Sequence, residues 1–131
     1  MSIHRLLAIA LSVPLASLAT VAPAAAFSIN VSWSGTAKCF DSQSPVISLS
    51  AVPQGTARIR FVMNDLDAPN FNHGGGTVTF SGQRQLAKGA FSYRGPCPPN
   101  GQTHRYRWTA EAIGADGSVR ARAQQVVPFR Q

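Results

Sequence analysis

The chain has 131 residues, with 12 Lys or Arg against 5 Asp or Glu and a formal net charge of +7. That length suits a single domain. The basic residues are scattered through strand-like and turn-like sequence instead of being concentrated with stacking aromatics, which argues against a nucleic-acid partner and leaves a mild preference for anionic ligands or surfaces.

Residues 1–26 read as a cleaved signal peptide. Arg5 gives a short positive start, Leu6 to Val21 is apolar apart from small hydroxyl residues and Pro14, and Ala24-Ala25-Ala26 supplies the small-residue cleavage pattern. A membrane anchor is the weaker reading, because the run is short, broken by proline and followed by strand-like sequence. No transmembrane segment is expected after cleavage, and the protein is expected to be secreted or periplasmic. Phe27 then opens a mature domain, 27–131, with eleven basic residues once Arg5 is removed from the twelve, nine of them arginine, against five acidic ones.

Phe27 to Trp33 alternates apolar and polar residues and reads as a half-buried strand ended by Gly35. Cys39 to Pro45 is turn-like, and Val46 to Ala51 is a short strand stopped by Pro53 and Gly55. Ala57 to Met63 is the next strand, with Ala57, Ile59, Phe61 and Met63 inward and Arg58 and Arg60 outward. Thr77 to Phe80 and Ala90 to Arg94 are short strands separated by a polar turn region. His104 to Ile113 is the longest strand, turned by Gly114-Ala115-Asp116-Gly117, and Ser118 to Phe129 gives one or two more, with Pro128 marking an edge or an end. No window carries capped 3.6-residue periodicity. The fold class is all-β, an antiparallel sandwich or barrel with little or no helix.

Two cysteines, Cys39 and Cys97, remain in an exported chain. An even count in an oxidising compartment makes one disulfide the default, with a reactive or metal-binding thiol as the alternative. Neither has a histidine at metal-like spacing.

Two clusters carry the chemistry. Asp65 and Asp67 stand at i and i+2 at the end of a strand, close to His73 and three glycines. Nearby carboxylates repel, so each needs donors or a cation. The second cluster is Tyr93 to Trp108, YRGPCPPNGQTHRYRW. Pro96, Pro98 and Pro99 remove three backbone donors and stiffen a loop that delivers the chain into a strand. Alternation there places His104, Tyr106 and Trp108 on one face. The mature chain has two histidines, and both fall in these clusters. The plainer reading makes the two aspartates turn caps, His73 a surface-loop residue and the second cluster a tight connection before an ordinary strand.

The order Asp65-Leu66-Asp67-Ala68-Pro69, His73, Gly95-Pro96-Cys97-Pro98-Pro99 and His104-Arg105-Tyr106 resembles the phosphatidylethanolamine-binding protein family, also called the Raf-kinase-inhibitor-like family. The segment from Cys39 to Pro45, leading to Val52 to Thr56, is similar to that family's approach to its first motif, so the resemblance spans roughly Cys39 to Ala112. It implies a large antiparallel β-fold with a small surface pocket for phosphate, acetate or a phospholipid head group, and it identifies Asp65, Asp67, His73, Gly95, Pro98, His104 and Tyr106 as the pocket residues. Imidazole N–H groups, the Tyr106 hydroxyl and loop amides are donors suited to an oxyanion, and the carboxylates can orient the imidazoles. Leu66 replaces the family's proline between the two acids, Gly74 stands where many members have Trp, and the longer C-terminal region of the larger members is missing. A short, exported, bacterial-type member fits best.

The expected function is non-enzymatic binding of a small anion, with no cofactor and no metal. The alternative is a protein-level inhibitor of a secreted peptidase or of a host signalling factor in a kinase pathway. A hydrolase using His73 or His104 as base finds little support, because no serine sits in a nucleophile-elbow pattern. A metal site built from His73, His104 and an aspartate is the remaining alternative.

Overall fold

The computed structural model of the protein describes residues 14, 16–36 and 39–131. Most of the apolar run expected to form the signal peptide lies outside the described residues. Residues 16–26, just before the domain, are exposed and contain neither helix nor strand. No helix among the described residues is long and apolar enough to cross a membrane.

Among the described residues seven strands form two antiparallel sheets: β1 (Ser28–Ser32), β2 (Val46–Ser50), β3 (Thr56–Asp65), β4 (Asn72–Thr79), β5 (Gln85–Leu86), β6 (Thr103–Gly114) and β7 (Val119–Arg130). A three-stranded sheet runs β1-β2-β5 and a four-stranded one β4-β3-β6-β7. The period-2 alternation of the sequence explains the layering. In β3, Ile59, Phe61 and Met63 are buried while Arg58, Arg60 and Val62 are exposed, and in β6 Tyr106, Trp108, Ala110 and Ala112 are buried. These inward residues form one core with Ile29, Val31, Ile47 and Leu49 of the smaller sheet. Each large side chain buried in this way stabilises the fold by roughly 1.5–3 kcal/mol. Polar bonds also cross between the layers: Val31 N donates to Gln125 Oε1 at 2.7 Å and Trp33 Nε1 to the Pro128 carbonyl at 3.0 Å.

Pro128 lies in β7, which is an edge of the four-stranded sheet, where a missing N–H is tolerated. The segment expected to give one or two strands after the Gly117 turn forms one, Val119–Arg130. Elsewhere the structure corrects the sequence reading. Ala90 to Arg94 is not a strand: it joins its neighbour through a single bridge, Gln43 to Ser92. The polar region before it contains β5, and β4 begins at Asn72, five residues before the expected start at Thr77. Cys39 and Cys97 are disulfide-bonded with Cα atoms 4.6 Å apart, which ties the segment after β1 to the proline loop before β6.

Candidate functional site

Adjacent antiparallel strands bring the two sequence clusters together. Asp65 ends β3 and pairs in register with Tyr106 of β6, which puts the start of β6 beside the turn after β3. Asp65 Oδ1 accepts hydrogen bonds from the amides of Asp67 at 2.9 Å and Ala68 at 3.0 Å, an Asx turn that reverses the chain. Its other oxygen, Oδ2, accepts from His104 Nδ1 at 2.7 Å. His73 enters from β4, where its Nδ1 donates to the Arg94 carbonyl at 2.7 Å and its own carbonyl accepts from Arg94 N at 2.9 Å. Arg94 N and O thus hold both the backbone and the ring of His73.

These bonds fix the roles of the ring nitrogens. A carbonyl can only accept, so His73 Nδ1 carries its proton, and against a carboxylate His104 Nδ1 does the same. Each Nε2 is then a bare lone pair on a neutral ring, or a second donor on an imidazolium. His73 Nε2 lies 4.0 Å from Asp65 Oδ2, and both side chains are almost fully buried. A proton on either Nε2 gives the site a donor, together with a positive charge that offsets the Asp65 carboxylate.

A cleft of about 180 Å³ opens over this trio, lined by Asp65, His73 and His104 and by Phe40, Ala68, Phe71, Cys97 and Pro99. A larger hollow of about 400 Å³ lies between Leu49–Val52 and Phe80–Arg84, but among the described residues Arg84 is the single ionisable group in its lining. Among the described residues no group of three His, Cys, Asp or Glu has the arrangement to hold a metal ion.

Of the seven residues expected at the pocket, the structure brings Asp65, His73 and His104 to the cleft lining. Asp67 instead faces Arg105, accepting from its amide at 2.7 Å and its guanidinium at 2.9 Å. Hydrogen bonds from Arg105 hold the Asp67 carboxyl below the usual aspartate range. Tyr106 lies beneath the cleft: it is fully buried, and its ring stands edge-on to His73 at 5.5 Å. Burial, followed by the nearby Asp65 charge, pushes its hydroxyl well above the ordinary tyrosine value; the Cys97 backbone and the Asp65 carboxylate lie near enough to act on that hydroxyl, but among the described residues none meets it at full hydrogen-bonding geometry. Tyr106 therefore supports the imidazoles from below and does not line the opening. Gly95 and Pro98 are buried in the loop wall, and a side chain at Gly95 would collide with the Asp41 carbonyl, at 2.6 Å.

Phe40 and Phe71 were not among the expected residues. Their rings stack at 5.5 Å and 17°, and Phe71 stands 4.6 Å from the His73 ring. Phe71 at two positions before His73 was a readable signal, since alternate residues share a face. Phe40 was marked only by its place next to Cys39.

No family model matches the chain, and no curated protein matches it. Among solved structures it is similar to Escherichia coli YbcL, described as a member of the mammalian PEBP family, with 17% identity over 82% of this chain and 99% of that one and a TM-score of 0.62. It is also similar to a phosphatidylethanolamine-binding protein homolog, CT736, from Chlamydia trachomatis, with 20% identity over 81% of this chain and 98% of that one and a TM-score of 0.60. The fold is that of the phosphatidylethanolamine-binding proteins.

Proposed function

We propose that this chain is an exported, non-enzymatic binding protein whose cleft takes a small anion such as phosphate, a carboxylate or a phospholipid head group. The observation that carries the reading is the convergence of Asp65, His73 and His104, from three strands, with both Nδ1 protons already committed. An oxyanion arriving there meets two imidazole Nε2 atoms that become donors on protonation, so binding is coupled to proton uptake. The disulfide supports residence in an oxidising compartment, and the fold shared with phosphatidylethanolamine-binding proteins supports a ligand-binding role.

Calorimetric titration with sulfate, which keeps its charge across the neutral range, tests this directly. The wild type should bind with net proton uptake, seen as heats that differ between buffers of different ionisation enthalpy. His73→Gln with His104→Gln should weaken affinity about a hundredfold, each lost charge-assisted bond costing about 1.5 kcal/mol. Binding that survives the double substitution would place the anion elsewhere. Phosphoethanolamine recovered intact after incubation is the expected companion result, and release of phosphate from it would make the site catalytic.

A further inference from the structure

The cleft is mostly apolar above its charged floor, and that wall has a definite construction. Phe40 has a φ of +53°, a left-handed conformation that costs a phenylalanine conformational energy, and the residue is 47% exposed. A strained backbone with a half-exposed aromatic side chain is maintained only when the surroundings over-determine it. They do so here. Cys39 on one side is bonded to Cys97, which also lines the cleft, and on the other side the Asp41 carbonyl accepts from Gly95 N at 3.0 Å. The ring so held lies nearly parallel to Phe71, which also carries the Arg94 guanidinium over its face at 5.4 Å. A cleft of about 180 Å³ has room for several waters, more than a tetrahedral oxyanion displaces.

We infer that the cleft is a site for an anion bearing a flat apolar group, the class of the aromatic carboxylates, with Phe40 and Phe71 as the specificity-determining residues. This rests on the anion reading of the same site. The carboxylate lies at the His73 and His104 end, and the ring lies along the aromatic wall, displacing ordered water from apolar surface. A bare oxyanion gains only the first of these contacts.

The test is calorimetric titration of the disulfide-bonded protein with acetate, benzoate and phenyltrimethylammonium. Benzoate should bind at least tenfold more tightly than acetate. Phe40→Gly is the informative variant, because glycine takes the positive φ freely and the main chain keeps its place. It should lower benzoate affinity about tenfold and leave acetate within twofold, and Phe71→Leu should do the same if Phe40→Gly disturbs the fold. Acetate and benzoate binding equally, or both changing together in Phe40→Gly, overturns the aromatic wall and leaves the anion site standing. Absence of binding by acetate, benzoate and sulfate overturns both readings, and phenyltrimethylammonium binding in their place would mean the Asp65 carboxylate and neutral imidazoles serve a cation.

Discussion

Replacing both Cys39 and Cys97 by serine isolates the contribution of the one covalent link across the fold. Cys39 is exposed and Cys97 half-buried, so serine leaves no core cavity and the packing of the two sheets should persist, whatever happens at the cleft wall. The loss then acts mainly through the unfolded chain. The bond joins residues 58 apart in sequence, and closing a loop of that size removes unfolded-state entropy worth about 4 kcal/mol. With an unfolding entropy of about 2.1 cal/mol/K per residue, the 105 residues of 27–131 give about 0.22 kcal/mol/K, so the thermal midpoint should fall by roughly 15–20 °C. Calorimetry of wild type, wild type with reductant and the double variant makes the measurement, and reductant should have no effect on the variant. Urea unfolding should show a larger slope for the variant, because its unfolded chain exposes more surface. A drop of less than about 5 °C would mean that the loop entropy is not what the bond contributes, and the reasoning would fail.

Two further outcomes follow from individual side chains. Hydrogen bonds from Arg122 and Arg60 hold the Glu111 carboxyl below the usual glutamate value of 4.5, so its contribution is complete above that pH and is lost as pH falls through the lowered value. Glu111→Gln should therefore cost about 1 kcal/mol or less at neutral pH, since both arginines are more than half exposed, and nothing at acid pH; superimposable acid-unfolding curves would dismiss the contribution. Tyr106→Phe removes a buried hydroxyl that meets the Cys97 backbone and Asp65 only at poor hydrogen-bonding geometry, so stability should change by no more than about 1 kcal/mol and sulfate affinity should stay within twofold. A tenfold loss of affinity would put that hydroxyl against the ligand.

Strands β3, β6 and β7 were legible because one face is buried and the other wet, which writes alternation directly into the sequence. The same signal misled at Ala90 to Arg94. Phe91 and Tyr93 do alternate inward, but the segment meets Ser42 to Ser44 through isolated main-chain bonds, Ser44 N to Phe91 O and Tyr93 N to Ser42 O, and no ladder extends from them. Alternation reports burial, while a strand also needs a partner of matching length, and that partner is set by long-range topology. Gln85 and Leu86 show the converse, a short strand in polar sequence made by pairing with β2. At the site, Asp65, His73 and His104 were legible because each sits in a distinctive local motif. Phe40 was not, because its segment is held at the cleft by contacts distant in sequence, among them a disulfide between residues 58 positions apart.

The glycine run after His73 shows how local sequence and distant packing divide the work. The family resemblance places a tryptophan at the position of Gly74, and on that ground alone the cleft should lack a wall. Gly74 has a φ of +71° with no atom within 4 Å of where a side chain would start, and it does not line the cleft. Gly76 serves packing instead: a Cβ there would stand 2.5 Å from the Phe91 side chain, so glycine is what lets Phe91 stack on Phe61 at 5.3 Å under the sheet. That stack lies in the core behind β4. The aromatic surface is supplied from other segments, by Phe71 from the turn before β4 and by Phe40 from across the disulfide. The Phe40 part of that surface is held by the Cys39–Cys97 link together with the main-chain bond from Gly95 N to the Asp41 carbonyl, which a tryptophan carried on β4 itself would not require. In this chain the bond that closes the fold also positions part of the cleft wall, and the two roles separate experimentally: reduction should lower benzoate affinity at temperatures where the domain is still folded.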